Sequence, residues 1–210
     1  MNSVNKFNSI NSLFIVLDGI DGSGTTTHSK LLYGFLESKG FKVHLTKEPS
    51  NSEIGQLIRK NLQNQDIPPT TDALMFAADR DFHYQMEIKD YLSKEFIVIS
   101  DRYVESSIVY QSIQSEEISI EWLKLINKFA GKADLTIILD IDPKISLARK
   151  STTIEKFEND SFLNKVRELY LVRAKEEGYF IINTNEIIEF AQQKIQEIVL
   201  KKLKEKGIKI

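Results

Sequence analysis

The feature that most constrains the fold is a glycine-rich turn set between a strand pattern and a helix pattern. Residues 13–17 form a short apolar run typical of a strand, and residues 26–38 follow a helical pattern that ends before Gly40, a suitable C-cap. Between them lies the segment G-I-D-G-S-G-T-T-T. In such a turn, backbone N–H groups can surround phosphate oxygens, and the helix N-terminus adds the positive end of its dipole. The arrangement predicts a phosphate-binding loop.

The predicted loop lacks the lysine that usually follows its second glycine. Thr25 occupies that position and carries no positive charge, whereas Thr26 keeps the hydroxyl that binds Mg²⁺ in such loops. A glycine-rich turn can also be a simple strand–helix connection, so the motif alone leaves both interpretations open. The residues predicted to bind ATP are Gly19, Asp21, Gly22, Ser23, Gly24, Thr25, Thr26 and Thr27.

Four further strand patterns alternate with helix patterns along the chain. They are continuously apolar, which indicates strands that are buried on both faces of a parallel sheet. The strands are predicted at residues 13–17, 41–45, 96–100, 135–141 and 179–182. The helices are predicted at residues 26–38, 54–62, 72–93, 120–129, 143–150, 161–177 and 186–206. This alternation predicts an α/β fold in three layers, a P-loop NTPase fold whose five-stranded parallel sheet is flanked by helices.

Composition and charge exclude several classes of protein. The 210 residues suit one domain, predicted at 13–210, after a disordered lead-in at 1–12 that is rich in Asn and Ser. A net charge of −2 argues against a surface that binds nucleic acid. The absence of cysteine excludes disulfides and thiolate metal sites and suits a reducing compartment, so we predict a cytoplasmic protein. The apolar runs fall short of the roughly 18 residues of a membrane span.

Three further segments place charged and aromatic residues around the predicted strand ends. They are T-K-E-P at 46–49, L-M-F-A-A-D-R at 74–80, and D-R-Y-V-E-S-S-I-V-Y-Q at 101–111. With the phosphate loop, these segments make the chain resemble the thymidylate kinase family. The usual forms in that family are Thr-Arg-Glu-Pro, Leu-Leu-Phe-Ala-Ala-Asp-Arg and Asp-Arg-Tyr-x-x-Ser-Ser-x-Ala-Tyr-Gln. The resemblance extends from about residue 13 to about residue 198.

Position in the fold suggests roles for several of these residues. In an open α/β sheet the carboxyl ends of the strands meet at one crevice, where ligands bind. Asp21, Lys47 and Asp101 lie at or just past such ends. We expect Asp101 to act as a carboxylate near Mg²⁺, with the Thr26 hydroxyl as a direct ligand. The planar fork of Arg102 suits the phosphate of an acceptor nucleotide.

Further roles are what the resemblance implies. Phe76 stacks on a thymine ring, and Arg80, one helical turn later, reaches a base carbonyl or the phosphate. Ser106 and Ser107 offer hydroxyls to the edge of the base, and Gln111 lies near it. Packing in the core is the alternative interpretation of Phe76.

The resemblance also extends to the sugar and to assembly. It implies that Tyr110 closes off the 2′ side and favours deoxyribose, and that Asp21 accepts a hydrogen bond from the 3′-hydroxyl. Lys47 belongs to the same group of predicted substrate-binding residues. Members of the family commonly form homodimers, and the chain is expected to do so as well.

A lid is expected at about residues 149–158, where the family has a segment rich in arginine. The chain keeps Arg149 and has Lys156 in place of a family arginine. A loop that carries cations can close over a triphosphate and neutralise charge in the transition state. The candidates to replace the missing lysine are Arg149, Lys150, Lys156 and Arg102. The predicted catalytic set is Arg102, Arg149, Lys156 and Asp101. An ordinary charged surface loop is the alternative.

These segments together predict a thymidylate kinase that uses ATP and Mg²⁺ to convert dTMP to dTDP in dTTP biosynthesis. One alternative is a kinase for another pyrimidine monophosphate, such as dUMP. A second is a regulatory protein that binds nucleotides and lost catalysis together with the lysine. The retained Phe76, Arg80, Asp101 and Arg102 argue against the second alternative, because a protein without catalysis has less need of an acceptor site.

Overall fold

The computed structural model describes residues 11–64, 66–149 and 160–209. Within these ranges the strands form one five-stranded parallel sheet in the order β2-β3-β1-β4-β5. The strands are β1 (Leu13–Gly19), β2 (Val43–Lys47), β3 (Ile97–Asp101), β4 (Leu135–Asp140) and β5 (Phe180–Asn183). The helices are α1 (Thr25–Ser38), α2 (Glu53–Asn61), α3 (Pro69–His83), α4 (Lys89–Ser93), α5 (Val104–Gln114), α6 (Ile120–Ile126), α7 (Pro143–Arg149), α8 (Asp160–Glu177) and α9 (Ile188–Glu205). The predicted fold class and the five-stranded parallel sheet are confirmed.

The sheet is the middle of three layers because both faces of its central strands are apolar. All seven residues of β1 are buried. Leu13, Ile15 and Leu17 belong to one core cluster with residues of α1 and α9. Phe14 and Val16 point to the other face, in a cluster with residues of α4 and the π-helical turn before it. Alternate side chains of one strand therefore hold helices on opposite sides of the sheet.

The main element that the sequence analysis did not predict is α5, which begins within the D-R-Y motif. Its N-terminus is fixed by a contact distant in sequence, because Asp18 at the end of β1 accepts hydrogen bonds from the backbone N–H groups of Tyr103 (3.2 Å) and Ser106 (3.1 Å). An anion at this end of a helix is also favoured by the helix dipole. Local sequence does not report such a partner.

The long helix that was predicted at residues 72–93 is divided in the structure. It consists of α3, a π-helical turn at Tyr84–Ile88, and α4. A π turn holds one residue more than a regular turn and occurs frequently at functional sites. None of the helices within the described ranges combines the length and apolarity that crossing a bilayer requires.

Two predicted segments lie partly or wholly outside the described residues. The lid prediction falls mainly on residues 150–159, which include Lys156, and only Arg149 of this segment is described. Residues 1–10 of the predicted lead-in also lie outside. Ser12 is described and buried, and its carbonyl oxygen accepts a hydrogen bond from Lys206 Nζ at 2.9 Å.

Asp18 connects the sheet to two helices of the second layer. Its carboxylate is fully buried and also accepts hydrogen bonds from the hydroxyls of Ser106 (2.6 Å) and Tyr170 (2.7 Å). Tyr170 belongs to α8, so this one side chain holds the ends of β1, α5 and α8 together. A buried carboxylate is stable only when its oxygens receive such donors.

We expect Asp18→Asn to lower the free energy of unfolding by roughly 3 kcal/mol, because the amide group turns a donor toward N–H and O–H donors. Urea denaturation followed by circular dichroism measures the change. Asp66→Asn is the matched control, since Asp66 is exposed and the same substitution there should cost little. Equal stabilities of the two variants would contradict the role assigned to Asp18.

Candidate active site

The turn between β1 and α1 has the backbone of a phosphate loop. Gly22 and Gly24 adopt positive φ angles of 76° and 94°, a conformation that favours glycine. A Cβ atom on Gly22 would lie 2.8 Å from Ser146 Oγ, so the close approach of α7 also requires glycine there. Because α1 begins at Thr25, the N–H groups of its first turn have no partners within the helix, and Thr25, Thr26 and Thr27 line the adjoining cavity.

That cavity, here called the phosphate-loop pocket, has a volume of about 380 Å³. It is lined by Gly22, Gly24, Thr25, Thr26, Thr27, His28, Arg149, Thr184, Glu186, Ile188 and Ala191. Thr25 is nearly buried and neutral, so the loop itself brings no side-chain cation. Arg149 lies beside the loop and donates hydrogen bonds to the carbonyl oxygens of Gly22 (3.4 Å) and Thr184 (2.8 Å).

A second cavity, here called the Phe76 pocket, lies on the other side of the phosphate loop and has a volume of about 130 Å³. It is lined by Asp21, Glu48, Pro49, Leu62, Phe76, Arg80, Arg102, Ser106, Ser107, Tyr110 and Gln111. The structure thus brings together the residues that were predicted to bind substrate, with one exception. Lys47 is exposed at the end of β2 and belongs to the lining of neither of these two pockets.

Arg102 links the Phe76 pocket to the phosphate loop. Its Nη1 donates to the carbonyl oxygen of Gly19 and to Ser106 Oγ, both at 2.9 Å, and its Nη2 donates to Asp21 Oδ1 at 2.5 Å. Burial by itself would lower the pKa of Arg102, but the nearby Asp21 and other groups raise it well above its usual value. The guanidinium is therefore a fixed positive charge at the junction of the two pockets.

The backbone of Arg102 is held in an uncommon conformation. Its φ angle is 72°, in the left-handed region that residues other than glycine rarely adopt, at a cost of order 1–3 kcal/mol. The Arg102 N–H donates to the carbonyl oxygen of Leu17, and the Ser100 hydroxyl donates to the Arg102 carbonyl oxygen. These two bonds hold the conformation that aims the side chain into the site.

Asp101 and Thr26 meet between the phosphate loop and the end of β3. The Thr26 hydroxyl donates to Asp101 Oδ2 at 2.5 Å. Asp101 Oδ1 is buried and has no hydrogen-bond partner within the described part of the chain. A hydroxyl and an unsatisfied carboxylate oxygen beside a phosphate loop suit a divalent cation that is shared with phosphates. The described residues contain no cluster of three or more His, Cys, Asp or Glu that could hold a metal ion by itself.

The two serines of the D-R-Y segment differ in what their hydroxyls do. The Ser106 hydroxyl is already engaged, since it donates to Asp18 and accepts from Arg102. Ser107 Oγ and Gln111 Oε1 are buried at the Phe76 pocket and make no hydrogen bond within the described ranges. Because buried polar atoms normally have partners, these two atoms are ready to bond to a ligand.

Arg80 is held by two residues to which the sequence analysis gave no role. Its Nε donates to Glu48 Oε2 at 2.7 Å and its Nη1 donates to Asn127 Oδ1 at 2.6 Å. Glu48 could have been noticed as the central residue of the T-K-E-P segment, where it follows a strand end. Asn127 lies just after α6, and no motif in the sequence around it indicates a role in the site.

A phosphate loop that adjoins a pocket with an aromatic ring, two arginines and unpaired polar atoms defines a P-loop kinase of nucleoside monophosphates. A family model described as thymidylate kinase matches residues 17–195. The chain belongs to the thymidylate kinase family and is a phosphotransferase.

Several proteins named "Probable thymidylate kinase" are similar over nearly their whole length. The one from Pyrobaculum aerophilum is 45% identical over 189 residues, which cover 89% of this chain and 95% of that protein. The one from Staphylothermus marinus is 42% identical over 197 residues, covering 92% and 97%. The one from Methanosphaera stadtmanae is 40% identical over 202 residues, covering 91% and 100%.

Proposed function

We propose that the chain transfers the γ-phosphoryl group of ATP to dTMP, with ATP in the phosphate-loop pocket and dTMP in the Phe76 pocket. Family membership supports the reaction. The observation that carries the assignment of the two pockets is the position of Arg102, which contacts the phosphate loop and lines the acceptor side.

The reaction requires alignment and charge stabilisation more than covalent chemistry from the protein. A phosphate oxygen of dTMP forms a bond to the γ-phosphorus while the bond to the β–γ bridging oxygen breaks, and ADP leaves. The attacking oxygen is already anionic, so no general base is needed. Arg102 binds the acceptor phosphate and stabilises the negative charge that spreads in the transition state.

Mg²⁺ is part of the proposal, and the residues that would hold it are Thr26 and Asp101. When bound, the cation neutralises charge on the phosphates of ATP. The unpaired, buried Asp101 Oδ1 supports this assignment. The Thr26–Asp101 hydrogen bond holds both side chains at the edge of the phosphate loop.

The groups at the far end of the Phe76 pocket suit a pyrimidine base. Phe76 offers a ring face for stacking. The Ser107 hydroxyl can donate to a base carbonyl, and Gln111 Oε1 can accept from a ring N–H. Tyr110 accepts a hydrogen bond from the Asp21 backbone at 3.0 Å, which fixes its ring as a wall beside the proposed sugar site.

Purified protein with ATP and Mg²⁺ should release ADP in a manner that depends on dTMP, as a coupled assay would measure. Activity with dCMP should be lower because its base presents a mismatched donor and acceptor, and activity with UMP should be lower because its 2′-hydroxyl is crowded. dUMP lacks only the C5 methyl group of dTMP, so its activity should fall by a smaller factor, roughly 10-fold. Higher kcat/KM with one of these three would instead identify a kinase for another pyrimidine monophosphate.

Thr25→Lys is the informative companion variant in that assay. We expect it to change the rate by less than about 10-fold, because Arg102 and Arg149 already bring positive charge to the loop. An inert wild type that binds both nucleotides, together with an active Thr25→Lys variant, would identify a degenerate kinase that serves only for binding. Failure of both proteins to bind dTMP would refute the acceptor assignment.

Asp101→Asn should lower kcat by about 10²–10³ and raise the Mg²⁺ concentration needed for half-maximal rate, because it removes an anionic metal ligand. Asp140→Asn is the matched control. Asp140 also ends a strand of the sheet, but both its oxygens bind Arg167, at 2.6 and 2.9 Å. Equal Mg²⁺ dependence of the Asp101 variant and the wild type would contradict the metal assignment.

We further propose that the chain forms a homodimer through α3. The resemblance to the family supports this, as does an exposed stripe on that helix where Leu74, Ala78 and Phe82 recur every four residues. Met86, in the π-helical turn, is also exposed, and such contiguous apolar surface is typical of interaction sites.

Phe82→Glu should convert the dimer into a monomer, because it places a charge in the proposed apolar interface; light scattering coupled to gel filtration measures the mass. Phe190→Glu is the control, since Phe190 is also exposed but belongs to α9. A wild type that is monomeric at micromolar concentration would refute the proposed dimer.

We also propose that the protein is cytoplasmic and that it does not bind nucleic acid. The net charge of −2 supports the second, because binding a duplex requires a basic surface. The absence of cysteine agrees with a reducing compartment.

A further inference from the structure

A cluster of buried charged side chains lies behind the Phe76 pocket, and the reaction as described does not use all of it. The side chains of Arg80, Glu48 and His83 are 1%, 3% and 0% exposed. Arg80 and Glu48 line the pocket, whereas His83 does not. Burial of three ionisable groups is costly unless each has its partners, so their arrangement merits a functional explanation.

The two carboxylate oxygens of Glu48 contact different side chains, those of Arg80 and His83. Its Oε2 accepts from Arg80 Nε at 2.7 Å, and its Oε1 lies 3.3 Å from His83 Nδ1. Since a carboxylate only accepts hydrogen bonds, His83 Nδ1 must be the donor. If the bond to His83 were lost, Glu48 would be free to rotate about its terminal torsion and Arg80 would lose a fixed acceptor.

The second nitrogen of His83 faces β2 and the π-helical turn. Its Nε2 lies 2.7 Å from Thr46 Oγ1 and 3.6 Å from Glu87 Oε1. Glu87 Oε1 is also 2.8 Å from His44 Nε2. Both nitrogens of His83 therefore point at acceptor atoms, which suits a doubly protonated imidazole.

The charges around His83 favour its protonated form. Burial alone would lower the pKa of His83, but its hydrogen bond to Glu48 and the negative charges of Glu48 and Glu87 outweigh this effect and raise the pKa to about 9. The hydrogen bond from His44, and then the nearby imidazole of His83, hold the pKa of Glu87 below its usual value. The other charged or titratable groups facing this cluster are Arg80, on the far oxygen of Glu48, and Tyr103, whose ring lies 5.7 Å from the Arg80 guanidinium carbon.

We propose that His83 is a positioning residue for the acceptor nucleotide: its imidazolium holds one oxygen of Glu48 so that the other fixes Arg80 in the Phe76 pocket. His83 touches neither proposed substrate, so its effect reaches dTMP through Glu48 and Arg80. The inference rests on the proposed binding of dTMP in that pocket. His83 thereby increases the affinity for dTMP and does not take part in phosphoryl transfer.

The pH dependence follows from the same contacts. The fold favours the protonated imidazole, so the stability it contributes is complete below the ordinary pKa of 6.5 and is lost as the pH rises through about 9. Over the same range His83 becomes neutral, so the attraction between its charge and the Glu48 carboxylate is lost whichever ring nitrogen keeps its proton. The affinity for dTMP should therefore fall above about pH 9.

The test compares wild type, His83→Gln, Glu87→Gln and His44→Gln by calorimetric titration with dTMP and by steady-state kinetics, from pH 7 to 10. His83→Gln should raise KM and Kd for dTMP by roughly 10-fold to 100-fold, the effect of a lost hydrogen bond to a charged group. Its kcat at saturating dTMP should change much less, and above pH 9 its Kd should rise less than that of the wild type, by the effect of thymine ionisation alone. Ionisation of the thymine ring is common to all variants and cancels in the comparison.

The other two variants separate positioning from mere packing. Glu87→Gln removes one of the groups that raise the pKa of His83, so the loss of affinity should begin about one pH unit lower. His44→Gln is the matched control, because His44 shares Glu87 with His83 but does not contact Glu48. It should keep the affinity of the wild type at pH 7.

Several results would overturn the inference. One is a folded His83→Gln variant that has the Kd and the pH profile of the wild type. Another is a wild type that binds dTMP with a Kd independent of pH up to 10, which needs no variant and so decides the matter even if His83→Gln does not fold. A wild type that does not bind dTMP at all would instead refute the proposed function.

Discussion

The interaction on which the rest of the site depends is the hydrogen bonding of Asp18. Its carboxylate ends the central strand and receives donors from the start of α5 and from Tyr170 of α8. Arg102 Nη1 also lies 3.7 Å from Asp18 Oδ1. One buried charge thus sets the position of α5 relative to the phosphate loop, and with it the separation of the phosphate-loop pocket and the Phe76 pocket. A neutral residue in its place would leave several N–H and O–H groups without acceptors.

Two arginines beside the phosphate loop supply the positive charge that the loop itself lacks. Thr25 leaves the phosphate loop without a side-chain cation, while Arg102 and Arg149 each donate to a backbone carbonyl of that loop. Their contacts include backbone atoms and, for Arg102, the side chains of Asp21 and Ser106, so the guanidinium groups are oriented before any nucleotide binds. Such preorganised charge is effective in catalysis because it needs no rearrangement during the reaction.

The polar atoms of the site fall into two groups with different roles. Ser106 is bonded to Arg102 and Asp18, and Arg80 is bonded to Glu48 and Asn127; these contacts determine the shape of the Phe76 pocket. Ser107 Oγ, Gln111 Oε1 and Asp101 Oδ1 are buried and unpaired within the described residues, so they are the atoms that gain most from a ligand. The engaged set keeps the unpaired set rigid, which limits the entropy lost on binding.

The sequence by itself determined the fold class, the phosphate loop and the neighbourhood of the motifs. These follow from local properties: glycines that permit positive φ angles, apolar runs that require burial on two faces, and strand ends that must meet in a parallel sheet. Thus Asp21, Lys47 and Asp101 were assigned to one crevice from the order of residues alone, although Lys47 lines neither of the two pockets. The tertiary structure decided the start of α5, the engagement of Ser106 but not of Ser107, and the hold of Glu48 and Asn127 on Arg80. These depend on hydrogen bonds between residues far apart in the chain, such as Asp18 with Tyr170 and Arg80 with Asn127. The residues near a buried donor in the chain do not indicate which distant acceptor it will bond to.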